Sequence, residues 1–189
     1  MVERRPQKEG NKRGESILAQ EFVETILAAA RENMKEHGSL VPALFLHLES
    51  GERVIFALRL PGTPEEKRAY FTALGLSIRL AGQGIHEALF VSEAWYVEVR
   101  EEGAAFDVAP SQHPERKEVI SIAGRNAQRT RLTFLLQPFS RDSQNQPVFE
   151  PLILAQYNAS VDTGYQPVGL IDHLFAYTHE EPGTIPSPL

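Results

Sequence analysis

The residues best suited to chemistry fall in two short stretches. One is Ser92-Glu93-Ala94-Trp95, which holds the chain's only Trp. The other is Pro110-Ser111-Gln112-His113-Pro114-Glu115-Arg116-Lys117-Glu118, stiffened by its two prolines. Together they display Glu93, Trp95, His113, Glu115, Arg116 and Glu118. If the two stretches meet, His113 or Glu118 could act as a general base while the Arg116 guanidinium binds an anion. The simpler reading is structural. Arg116 or Lys117 approaches Glu93 or Glu98, and a guanidinium–carboxylate contact pins the long loop to the sheet. No catalytic role is assigned to any residue on this basis.

The element that must position Glu93 is the run Gly84–Arg100, the longest strand-like stretch in the chain. Side chains two apart share a face, so Leu89, Val91, Glu93, Trp95, Val97 and Val99 form one row. The other row, His86, Ala88, Phe90, Ser92, Tyr96, Glu98 and Arg100, is mixed. A carboxylate among apolar neighbours needs a partner or a raised pKa. A bulge near Ala94 would instead shift the register and turn Glu93 outward.

Composition narrows the field. The chain has 189 residues, a formal net charge of -6 and no Cys. Thiolate catalysis, disulfides and Cys-ligated zinc are excluded. The acidic balance argues against general affinity for nucleic acid or an anionic membrane. No run approaches the length of a membrane-spanning helix, and the charged start lacks a signal-peptide core, so the expected location is the cytoplasm. No nucleophile elbow, phosphate loop, metalloprotease helix or EF-hand loop appears, and no cofactor or metal is expected. Gly82-Gln83-Gly84 follows a helix and precedes a strand, the reverse of a dinucleotide loop.

The remaining elements follow from periodicity. Residues 1–14 are a basic tail expected to be disordered, and 179–189 are expected to be a disordered tail as well. Leu18, Phe22, Ile26, Ala30 and Met34 mark a helix over 15–37, stopped at Gly38. Residues 41–60 read as a hairpin turning at Ser50-Gly51, with Pro42 hinting at a sheet edge. His47 in this hairpin reads as a satisfied sheet histidine. Thr63-Pro64-Glu65-Glu66 is a helix start with a capping box, and the helix runs to Ala81. Strands are expected at 117–123 and 129–137, joined by a turn at 124–128. A polar loop follows over 138–147, then a strand at 148–157 interrupted by Pro151, then a helix at 167–178. Arg125, Arg129 and Arg131 form a candidate anion patch.

The order α-β-β-α-β-β-β(-β-α) predicts a single α+β domain over 15–178, an antiparallel sheet with helices mainly on one face. That order is similar to the roadblock/longin and profilin-like arrangement, a scaffold that hosts many functions. The SEAW and PSxxPxRxE stretches resemble an uncharacterised group of prokaryotic and phage proteins, over roughly residues 40–137 in layout. That resemblance implies no assigned activity. The expectation is therefore a non-enzymatic binding or assembly module with a protein partner or a second copy of itself. A small-molecule enzyme, such as a hydrolase, with its pocket at Glu93 and the 110–118 loop is the alternative. A nucleic-acid accessory role through the basic arm and the arginine hairpin comes third.

Overall fold

The computed structural model describes residues 16–98, 110–161 and 169–176. Both expected tails, and residues 101–109 of the expected loop, lie outside the described residues. The elements are α1 (Gln20–His37), β1 (Ala43–Leu48), β2 (Arg53–Ala57), α2 (Pro64–Leu80), β3 (Ile85–Tyr96), β4 (Lys117–Asn126), β5 (Arg131–Arg141), β6 (Pro147–Phe149) and β7 (Leu154–Ser160). A 3-10 turn at Pro110–Gln112 precedes β4, and a 3-10 helix at Leu170–Phe175 follows β7.

The fold is α+β, in the chain order anticipated. The seven strands form one antiparallel sheet ordered β2-β1-β3-β4-β5-β6, with β7 also paired to β5. β6 takes Phe139–Arg141 of β5, and β7 takes the Arg131–Leu136 stretch. The interruption foreseen at Pro151 thus separates two short strands that share one side of β5.

The helices do not lie mainly on one face. Val23, Leu27, Ala30 and Met34 of α1 pack on Leu89, Val91, Ile120, Ile122, Leu135 and Phe139. Phe71 of α2 and Ile171, Leu174 and Phe175 of the 3-10 helix pack on the opposite face, against Leu44, Leu46, Ala88 and Phe90. The reason lies in β3. Its consecutive residues Ala88, Leu89, Phe90 and Val91 are all buried, so both parities of the strand need cover.

The helix stop at Gly38 acts where the sequence placed it, and the hairpin signals do so only in part. Gly38 caps α1 at φ 72°, its amide donating to the Met34 carbonyl, a left-handed conformation that favours glycine. The hairpin turn is longer than two residues. It spans Glu49–Gly51, with the Leu48 amide donating to the Glu52 carbonyl and Gly51 at φ 87°. β1 is interior, so Pro42 does not mark an edge; its carbonyl accepts the Leu58 amide from beyond β2.

At α2 the capping box forms. Thr63 Oγ1 accepts from the Glu66 amide, and the Glu66 carboxylate accepts from the Thr63 amide and hydroxyl. The backbone and then the side-chain hydrogen bond from Thr63 lower the Glu66 pKa below its ordinary value. A carboxylate whose folded pKa is depressed adds stability above its unfolded pKa and loses it as pH falls through the folded one. Thr63→Ala should therefore lower the thermal midpoint at neutral pH. The gap from the parent chain should narrow below the carboxylate range; a gap constant with pH would exclude the charged capping box as its source.

Candidate functional site

Glu93 is held on the inward side. The β3–β4 register runs unbroken from Glu87 opposite Asn126 to Tyr96 opposite Lys117, so no bulge intervenes. Glu93 therefore stays in the row of Leu89 and Val91, on the α1 face. Its carboxylate accepts from the Leu40 amide, just beyond the end of α1, and lies 4.0 Å from the Arg141 guanidinium.

The cation comes from β5, not from the proline-stiffened loop. Arg141 also lies 3.3 Å from Glu118 and donates to the Gly38 carbonyl at 3.0 Å. One guanidinium thus joins two carboxylates of adjacent strands to the C-terminal end of α1. Multidentate contacts of this kind suit arginine's planar fork. Arg141 was missed because Pro138 and the polar residues after it read as a loop. β5 continues to Arg141 instead, and the parity Leu135, Gln137, Phe139, Arg141 was the available signal.

The other candidates are distributed around this clamp. Arg116 stacks over the Trp95 ring at 4.7 Å, a cation–π contact that folds the loop onto the end of β3. Trp95 remains 42% exposed. His113 Nδ1 accepts from the Glu115 amide at 3.1 Å, an interaction within the turn itself. Glu118, considered as a base, is engaged by Arg141. The expected contact of Arg116 or Lys117 with Glu93 is replaced by two others: Arg141 takes the carboxylates, and Arg116 takes the Trp95 ring.

The anion patch needs correction. β4 extends through Asn126 rather than ending at Ala123. Arg125 therefore sits on the strand face beneath the 3-10 helix, 1% exposed, with its Nε 3.0 Å from Asp172 Oδ1. Arg129 donates to the carbonyls of Asp172 and Phe175, both at 3.3 Å. Arg131 donates to the Asn158 carbonyl at 3.1 Å. These arginines fasten the 3-10 helix and β7 to the sheet and do not form a common phosphate-binding surface.

Two polar features were not foreseen. Glu87, 7% exposed, accepts from the Ser16 hydroxyl at 2.7 Å and the Ile17 amide at 2.9 Å. His47 Nδ1 lies 3.5 Å from the same carboxylate. The Ser16 hydroxyl points at the acid and not at the imidazole, so this is an anchor for the entry to α1 and not a nucleophile–base pair. The pairing of His47 with Glu87 across β1 and β3 becomes visible only once the register is known.

The second is a cleft of about 450 Å³ on the α2 face. Its lining includes Ser92 and Phe90 of β3, Lys67 of α2, Leu60, and Leu170 of the 3-10 helix, with Trp95 at the end of β3. Glu93 and Glu118 border it, but Arg141 holds their carboxylates on the α1 face. The signal for Lys67 was its place one turn into a capped helix, and for Ser92 its parity with Phe90.

No group of three or more His, Asp or Glu residues that could hold a metal gathers among the described residues. No described helix is long and apolar enough to cross a membrane. No family model, curated protein or solved structure matches the chain.

Proposed function

We propose that the protein is a non-enzymatic assembly module that pairs with a second copy of itself through the edge strand β2. The observation that carries this reading is the outward side of β2. The Glu52 carbonyl bonds back to Leu48, and the Leu58 amide bonds back to Pro42. Even-numbered residues therefore face β1, and the backbone groups of Arg53, Ile55 and Ala57 point away from the sheet. The strand carries no proline, and its central Ile55 is 65% exposed. Ile55 and Ala57 thus present a strand edge to which no described strand is paired, a template for strand addition.

A second copy fits because antiparallel pairing centred on Ile55 is self-complementary. Ile55 meets its counterpart, and each Arg53 stands opposite the other copy's Ala57. Such an isologous contact closes on itself. Ile55 shares its face with half-buried Phe45, its partner on β1. That apolar margin would be covered by the pairing.

The experiment is light scattering coupled to size exclusion across a range of concentrations. The parent chain should run as a dimer, and Ile55→Lys should run as a monomer with unchanged circular dichroism. A monomeric parent, or a dimer indifferent to both Ile55→Lys and Ile55→Pro, would overturn the proposal. A monomer that binds an extended peptide along β2 would place a different occupant on the edge.

A further inference from the structure

The cleft on the α2 face has the composition of a ligand site. Phe90, Leu60 and Leu170 give it apolar walls, Trp95 stands at its edge, and its volume lies in the range of small-molecule pockets. Ser92, on the same strand face as Phe90, lines it while only 9% exposed and brings a hydroxyl that can donate to an acceptor. Lys67, half-buried on the α2 wall, makes no ion pair among the described residues. With Glu93 and Glu118 turned to the other face by Arg141, Lys67 supplies the charge of the lining.

We infer that this cleft binds a small amphipathic anion, a monocarboxylate with an apolar body. The carboxylate sits between the Lys67 ammonium and the Ser92 hydroxyl. The body lies along Phe90 and Leu170 towards Trp95. A charge-assisted hydrogen bond at a partly buried site orients the head group, and the walls take the tail. The site is independent of the β2 edge, because Ile55 lies on the α1 face and the cleft on the other.

The chain's only tryptophan lines the site and makes it directly observable. Decanoate, kept below its micellar range, and decanol are titrated while Trp95 emission is read, with calorimetry in parallel. Decanoate should bind saturably, and decanol more weakly. Lys67→Met should weaken decanoate about tenfold and leave decanol unchanged. Ser92→Ala should weaken decanoate by a smaller factor. Lys67→Gln provides a second variant should Lys67→Met fold poorly. Ile55→Lys should bind decanoate like the parent, which separates this test from that of self-pairing. No saturable decanoate binding, equal binding of acid and alcohol, or indifference to both Lys67 variants would overturn the inference. So would full competition by inorganic phosphate, which would mark a site for simple anions.

Discussion

Arg125→Met should destabilise the chain by about 3–5 kcal/mol, the usual consequence of removing one partner from a buried ion pair. Arg125 is 1% exposed, and Asp172 is 8% exposed. Their contact at 3.0 Å bridges β4 and the 3-10 helix. Asp172 also accepts from the Gly169 amide at 2.7 Å, so the carboxylate fixes the start of that helix. Removing the guanidinium leaves a buried carboxylate with the Gly169 amide as its one donor among the described residues. The pair itself need not be a large net stabiliser, since desolvating two charges offsets much of their attraction. The double variant Arg125→Met/Asp172→Leu should therefore recover most of the loss. Urea denaturation of both variants measures this; a single substitution costing less than about 1 kcal/mol would show that water reaches the site.

Elements with strong local signals were legible in the sequence, and elements whose role depends on tertiary neighbours were less so. The capping box at Thr63 and the glycine stop at Gly38 are local hydrogen-bond devices, and both stand where the residues predicted them. The inward parity of Glu93 was one of two readings of the strand pattern, and the unbroken register of β3 on β4 decides for it. Its cation was not legible, because Arg141 reaches Glu93 across β4, through a register no local pattern encodes. The same limit explains the second helical layer. Periodicity identifies an apolar face on α1 and another on α2, but the choice of sheet face depends on which parity each covers. Over Leu132–Gln137 of β5 the buried residues are Thr133, Leu135 and Gln137, while Leu132, Phe134 and Leu136 are half-buried. Hydrophobicity alone favours the second set. Thr133 and Gln137 are accommodated because the first donates to the Leu18 carbonyl and the second to the Pro138 carbonyl.

The close approach of α2 to the 3-10 helix yields the second large effect. Gly75 is buried in the middle of α2. A Cβ at that position would lie 2.2 Å from the Leu174 carbonyl oxygen and 2.9 Å from its carbonyl carbon. The obstacle is backbone, so no rotamer change can relieve it. Glycine in a helix interior costs about 0.5–1 kcal/mol relative to alanine, and on an open helix face Gly75→Ala would stabilise. Here the packing reverses the sign. Gly75→Ala should destabilise, and Gly75→Val should cost about 3 kcal/mol, the upper part of the range for overpacked cores. The damage should fall on the 3-10 helix first, because its short length gives it little stability of its own. Leu174 and Phe175 would be displaced, and Arg129 would lose the carbonyls of Asp172 and Phe175. Amide exchange should therefore accelerate at Asp172 and Ala176, whose amides donate to Gly169 and His173, before it changes across β3 and β4. Leu170 lines the cleft beside Lys67, so decanoate affinity should fall in the same variant while self-pairing at β2 persists. Stabilisation by Gly75→Ala would show that the two helices stand further apart than this contact requires.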